Sequence, residues 1–294
     1  GQPPWLTPVT DFYRIDTAIV PPAVDPADWR LRLHGMGDHP IELTFDDLLA
    51  RRVTEGWLTL NCVSNTVGGD LIGNAWWSGV PIAPLLREAG VHPDADGVLQ
   101  TSADGWTCLT PIEALVDEAR HAMLAVAQNG QPLTVEHGFP VRMLVPGLYG
   151  YVSATKWVVD LEVTTFASAQ GYWTDKGWSA RGPVKLASRI DVPGAGAEVA
   201  GGDVTIAGTA WQQHTGVKAV EVSVDGGPWL PTLLAGVPGA DTWVQWRTSV
   251  PLNAGDHRVR VRAVSATGEV QTGVRADPAP NGATGWHTVG FHVS

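Results

Sequence analysis

Apolar and polar positions follow two different rhythms along the chain. Between about residues 30 and 165, runs of strand character ("WRLRLHG", "GWLTLNCV", "HAMLAVAQN", "PVRMLVPG", "KWVVDLEVTTF") alternate with segments whose apolar residues recur every three or four positions ("TFDDLLARR", "VPIAPLLREAG", "TPIEALVDEA"). The first rhythm suits sheet strands and the second suits short helices, so this part predicts an α+β unit with a mixed sheet. Thr44, ahead of Asp46 and Asp47, supplies a helix cap signal: a hydroxyl accepts from free backbone N–H groups, and carboxylates favour the positive end of the helix.

After "SRIDVPGAGAEVAGGD" the helical rhythm stops. "DVTIAGTAW", "VKAVEVSVDGGPWLPTLL", "TWVQWRTSV", "HRVRVRAVSATGEVQ" and "WHTVGFHVS" are short alternating runs separated by Gly, Pro and Asp turns, with a hairpin expected at Asp225, Gly226 and Gly227. That pattern predicts an immunoglobulin-like β-sandwich. The change of rhythm places two domains at 1–186 and 187–294, joined through a Pro- and Gly-rich connection.

A chain of 294 residues, 44% hydrophobic and 17% charged, is long enough for two cores. Its net charge of −11 and its lack of any Lys or Arg run argue against nucleic acid as a partner. No stretch of about 18 apolar residues offers a membrane span, and "GQPPWLTPVTDF" lacks the basic start and apolar core of a signal peptide. Tryptophan is favoured, at 14 against 5 Phe and 4 Tyr, and such rings suit core and pocket walls alike.

Of the two cysteines, Cys62 ends an apolar run and precedes the glycine-rich turn of "LTLNCVSNTVGGD". Three roles fit a thiol there: a small buried hydrophobe, a disulfide with Cys108, or a thiolate at a pocket acting as nucleophile or metal ligand. No Cys/His pair or Ser/His/Asp arrangement is legible near it, and no second Cys or His stands at zinc spacing. A lone thiolate ligand therefore needs a metal that brings most of its own donors.

"LTLNCVSN", followed by "GNAWWSGVPIAPLLREAGV" and "NGQPLTVEHGFPVRMLVPGLYGYVSATKWV", resembles the molybdopterin domain of the sulfite oxidase family. The opening "FYRIDTAIVPPAVDPADWRLRLHG" is similar to the same family, and the sandwich resembles the domain through which many members dimerise. The resemblance implies a molybdenum-molybdopterin cofactor with Cys62 as the protein's thiolate ligand and Cys108 as a packed thiol. A thiolate is a soft donor able to tune a high-valent metal. By the same resemblance, His137 and Arg142 contact the pterin and its phosphate, and Ser153, Ala154, Thr155 and Lys156 hold the phosphate end. Phe12, Tyr13, Arg14 and Asp16 line the cofactor, and Asp104 contacts the pterin.

Sulfite oxidases surround their oxyanion with arginines and set a tyrosine beside the metal. Arg14 matches one of those arginines and joins Cys62 as an expected catalytic residue. "VSNTV" after Cys62 carries no arginine, Trp76 and Val244 stand where arginines are expected, Arg247 lies near the second of these, and no tyrosine adjoins Cys108. Losing such cations weakens attraction for a doubly charged anion by on the order of several kcal/mol, even at an effective dielectric of about 20. The expected function is sulfite oxidase-like oxygen-atom transfer to or from a small-molecule substrate. The alternatives are an S-oxide reductase of the methionine sulfoxide type in the same family and, from another class, a cofactor-free binding or scaffold protein. No haem signature such as Cys-x-x-Cys-His occurs. Electrons are thus expected to pass through a separate carrier such as a cytochrome, or a membrane segment outside this sequence. The resemblance also implies an extracytoplasmic location and a homodimer formed through the sandwich.

Overall fold

The structure, a computed structural model, describes residues 2–294. Two five-stranded sheets build the first unit. One sheet runs in the order Ile41–Thr44, Arg30–Gly35, Val158–Thr164, Gly97–Ser102, Thr107–Pro111. It is mixed: Arg30–Gly35 and Val158–Thr164 are parallel, with Leu33 opposite Leu161, and the other pairs are antiparallel. The other sheet sets Thr54–Asn61, Ile72–Pro81 and Met123–Gln128 antiparallel in that order, and Gln131–Pro132 and Arg142–Leu144 both pair with the last of them.

Alternation explains the first sheet. In Arg30–Gly35 the side chains of Leu31 and Leu33 are buried while those of Arg30 and Arg32 face solvent, as a period of two requires. They meet Trp29, Leu124 and Met143 and the apolar stripe Ile82, Leu85 and Leu86 of helix Ile82–Glu88 in one core. Helices Phe45–Leu49, Ile82–Glu88 and Ile112–Val116 stand where the three-to-four rhythm predicts them, each only five to seven residues long. Strands make up 41% of the structure and helices 11%, so the helices are packed turns on a mainly β unit. Helices this short do not persist in water alone. A capping box closes the first of them: the Thr44 hydroxyl accepts from the Asp47 amide, and the Asp47 carboxylate accepts from the Thr44 amide.

The strand rhythm misses Ile72–Pro81, which is buried along almost its whole length and so shows no alternation. It also misses the hairpin Gly97–Ser102 and Thr107–Pro111, buried nearly throughout.

From Ala187 onward the chain forms the sandwich. One sheet orders Ala187–Val192, Gly202–Trp211, Val244–Leu252 and Leu233–Leu234; the other orders Glu198–Val199, Thr288–Val293, Gly255–Ser265, Val217–Val224 and Leu230–Pro231. Ile206 and Trp246 on one face pack with Val222, Val261 and Phe291 on the other. Asp225 (φ 50°) and Gly226 (φ 76°) both adopt left-handed backbone, and Gly227 N–H donates to Val224 O at 2.8 Å, which closes the predicted hairpin.

A shared core joins the two units: Val63, Ile72, Tyr149, Tyr151, Val152 and Val184 pack with Trp211 and Trp243 of the sandwich. Thr59, in the strand leading to Cys62, is held at every polar atom. Its N–H donates to Asp241 O (2.9 Å), and its carbonyl accepts from Gln213 Nε2 (2.9 Å). Its hydroxyl accepts from Trp243 N–H (2.8 Å) and donates to Asn74 Oδ1 (2.9 Å).

Candidate active site

The strand Thr54–Asn61 ends at the mouth of a cavity and delivers Cys62 into it. The turn that follows is self-bonded: Cys62 N–H donates to Leu71 O (3.0 Å), Asn65 N–H to Cys62 O (3.1 Å), and Leu71 N–H to Asn65 Oδ1 (3.1 Å). Opposite it, segment 137–157 brings up two cations. Gly138 at φ +107° allows this, since a Cβ there would lie 3.0 Å from Arg142 Cβ and 3.2 Å from Lys156 Cα. The cavity spans about 910 Å³ of empty space, part of it open solvent.

Cys62, Tyr13, Asp16, His137, Arg142 and Lys156 are among the polar residues of its lining. Arg142 is buried, and it donates from Nη1 to His137 O (3.1 Å) and from Nη2 to Ala154 O (3.4 Å), while its Nε has no partner. Burial pulls it down to about 10, still protonated at neutral pH. Lys156 donates to Asp16 Oδ2 (2.6 Å) and Glu136 O (3.0 Å), and burial pulls its ammonium down to about 8. Burial alone would raise Asp16, but the hydrogen bonds from Arg14 and Lys156 hold its carboxyl below the usual range. Burial, with the nearby charges of Arg142 and Lys156, lowers His137, so its ring is neutral near pH 7 and donates through Nε2 to Val9 O (3.2 Å). The Cys62 thiol is pushed up by burial, against the opposing pull of the Ser64 amide and hydroxyl.

Both cysteines are free, which removes the disulfide as an account of either. Cys108 is fully packed, its Sγ 3.3 Å from Thr155 Oγ1, and burial pushes it up to about 12.

Eight of the twelve residues named from the sequence line the cavity: Tyr13, Asp16, Cys62, Asp104, His137, Arg142, Ala154 and Lys156. The other four do not. Phe12 is buried beneath it, edge-on to Trp77 and His137. Arg14 turns to Asp16 (Nε to Oδ2, 3.0 Å) and remains largely exposed. The Ser153 hydroxyl donates to Tyr149 O (2.9 Å), and the Thr155 side chain faces Cys108. Strand and turn geometry sends alternate residues of 153–156 to opposite sides, so only Ala154 and Lys156 reach the cavity.

The residues expected to mark lost arginines lie elsewhere. Trp76 packs edge-on against Trp57, Val244 is buried in the sandwich core, and Arg247 is exposed on its strand; none lines the cavity. The phenols of the cavity come from Tyr13 and Tyr151, not from beside Cys108. No motif pointed to the wall formed by Trp106, Tyr151, Trp173 and Trp178. A surplus of tryptophan was its one visible trace, and composition carries no direction.

The donor set fits a molybdenum-pterin group. A soft thiol lines the same space as a buried guanidinium and a buried ammonium, donors suited to polar ring edges and a phosphate. Fold and site together define a redox enzyme built on a cofactor domain and an immunoglobulin-like sandwich. Residues 17–173 match the family described as oxidoreductase molybdopterin binding domain, and residues 188–261 match the bacterial Ig domain. An uncharacterized oxidoreductase of Bacillus subtilis, YuiH, is 35% identical over 180 residues, covering 61% of this chain and 87% of that protein. Sulfite oxidase of Gallus gallus is 29% identical over 314 residues, 91% of this chain and 68% of its own. The crystal structure of the sulfane dehydrogenase SoxCD from Paracoccus pantotrophus superposes with a TM-score of 0.77 at 25% identity, over 91% of this chain and 76% of that one. The chain belongs to the oxidoreductase molybdopterin-binding family and is a sulfite oxidase-like oxidoreductase whose cofactor is molybdenum-molybdopterin. The cofactor-free scaffold is thereby set aside.

Proposed function

We propose that the protein transfers an oxygen atom to or from a small substrate, with Cys62 as its thiolate ligand to molybdenum. When bound, the cofactor supplies a metal centre that exchanges an oxygen atom and an electron pair with the substrate. One observation carries the assignment to this cavity: the buried Cys62 thiol, the Arg142 guanidinium and the Lys156 ammonium converge on one solvent-open space. Arg142 and Lys156 hold the pterin and phosphate by charge-assisted hydrogen bonds, each worth about 1.5–3 kcal/mol when shielded. His137, fixed by Val9 O, keeps a neutral face toward the site. Electrons pass between this site and a separate carrier, in keeping with the expected extracytoplasmic location.

Replacing Cys62 by Ser tests this. The variant keeps its fold and most of its pterin, because the cradle around Arg142 and Lys156 is untouched. It loses at least about 100-fold in turnover with a dye acceptor or donor, more than the loss of an outer-shell partner causes. Metal-sulfur coordination, measured by X-ray absorption, falls by one ligand. No molybdenum in protein made in a molybdenum-replete host, or full turnover in Cys62→Ser, overturns the proposal.

A further inference from the structure

The charged groups of the cavity are already engaged. Lys156 is paired with Asp16, and Arg142 donates to two backbone carbonyls. Arg14 is turned away onto Asp16, and Asp104 adds a carboxylate to the lining. Among the described residues, no cation lining this space stands clear of the cradle to receive a doubly charged anion.

The aromatic groups are not engaged in the same way. Trp106, Trp173 and Trp178 are half-buried, and among the described residues none of their indole N–H groups has a hydrogen-bond partner. In contrast, Trp29, Trp77, Trp157 and Trp243 each donate to a backbone carbonyl. The cavity is thus lined by aromatic rings whose indole N–H groups remain without a protein partner.

The wall is also rigid. Trp178 sits 6.3 Å from Trp173 at 75° and 5.9 Å from Tyr151 between ring centres. Trp178 N–H donates to Trp173 O (3.1 Å), the Tyr151 hydroxyl donates to Ser179 O (2.6 Å), and Ser179 N–H donates to Pro280 O of the sandwich (2.9 Å). Gly171, where this segment begins, lies so close to Cys108 that a Cβ would come within 2.8 Å of its Cα. Segment 171–179 is therefore clamped from both units, and the rings need little ordering when a ligand arrives.

We infer that Trp106, Tyr151, Trp173 and Trp178 form a subsite for a neutral sulfoxide, or the matching thioether, that carries an aromatic ring. The ring stacks on the indoles, and the dipolar S–O oxygen accepts from an indole N–H, interactions that need no cation. This rests on the proposed function, since it names the substrate class of the same site.

Quenching of tryptophan fluorescence in the purified holoenzyme, with no electron donor present, measures binding apart from turnover. The probes are methyl phenyl sulfoxide, dimethyl sulfoxide and sulfite. Methyl phenyl sulfoxide is expected to bind at least about tenfold more tightly than either of the others, in line with aromatic pairing energies. Trp106→Ala and Trp178→Ala, which lie in different loops, each lose most of that preference at unchanged circular dichroism and molybdenum content. Trp106→Phe retains it. Equal affinities, tightest binding of sulfite, or a preference that survives both alanine variants overturns the subsite. The Cys62→Ser variant, which fails in turnover if the proposed function holds, keeps the aryl preference, so the two ideas fail separately.

Discussion

Lys156 is a lysine whose ammonium is difficult to keep charged: burial pulls it down to about 8 from the usual 10.5, with Asp16 and the Glu136 carbonyl as its hydrogen-bond partners and the Trp157 ring 4.7 Å away. Between about pH 8 and 10.5 the unfolded chain therefore binds more protons at this residue than the folded chain does, so its contribution to stability rises with pH across that window. A bound phosphate works in the opposite direction, because a neighbouring anion favours the charged lysine. Binding inorganic phosphate to cofactor-free protein is expected to take up close to one proton at about pH 9, and affinity is expected to fall as pH rises through 8. Calorimetry in two buffers of different ionisation enthalpy reads the proton count, and Lys156→Arg, which does not titrate, flattens the profile. A proton count of zero at pH 9 in the native sequence would count against Lys156 as the phosphate-end cation. At this scale much of the site was legible, since eight of twelve chosen residues line the cavity. The four that do not, Phe12, Arg14, Ser153 and Thr155, show the limit: sequence order brings a residue near a site, but backbone direction decides which side chain enters it.

The strand Thr54–Asn61 shows what periodicity conveys about an element and what it leaves out. Its apolar run predicts the strand, yet nothing in "GWLTLNCV" reveals that Thr59 is saturated by partners up to 184 residues away. Three of those partners, Gln213, Asp241 and Trp243, belong to the sandwich, so the second unit holds the element that delivers Cys62. Thr59→Val keeps the shape and removes the hydroxyl, which leaves Trp243 N–H and Asn74 Oδ1 without that partner in a buried setting. The expected loss is about 1–3 kcal/mol of stability, measured by urea unfolding, while Thr59→Ser keeps both bonds and most of the stability. A Thr59→Val protein as stable as the parent would show that the hydroxyl contributes nothing to the clamp. The same logic explains the missed strand Ile72–Pro81: alternation signals one wet face, and a strand covered on both faces has none to show.

The two rhythms of the sequence read as two units, but the molecule ties them together more tightly than a change of pattern reveals. The N-terminal segment is strapped to the sandwich: Trp5 Nε1 donates to Trp243 O (3.2 Å), Trp243 Nε1 donates back to Trp5 O (2.9 Å), and Gln245 Nε2 donates to Pro3 O (2.7 Å). Arg189 reaches from the first sandwich strand to Gly69 O (2.7 Å) in the turn after Cys62. With the shared core around Tyr149, Tyr151, Trp211 and Trp243, this joint resembles a domain interior more than a hinge. The units are therefore expected to unfold together, in one calorimetric transition whose van't Hoff and measured enthalpies agree. Trp243→Ala strips from the joint a large buried ring and the one hydrogen bond that its indole N–H donates, to Trp5 O, at a cost of about 3–5 kcal/mol. If the joint is what couples the units, that variant separates into two transitions, the sandwich melting apart from the cofactor unit. Two transitions in the native chain would mean that each unit stands alone and that the contacts at Thr59, Arg189 and Trp243 do not govern the stability of the strand carrying Cys62.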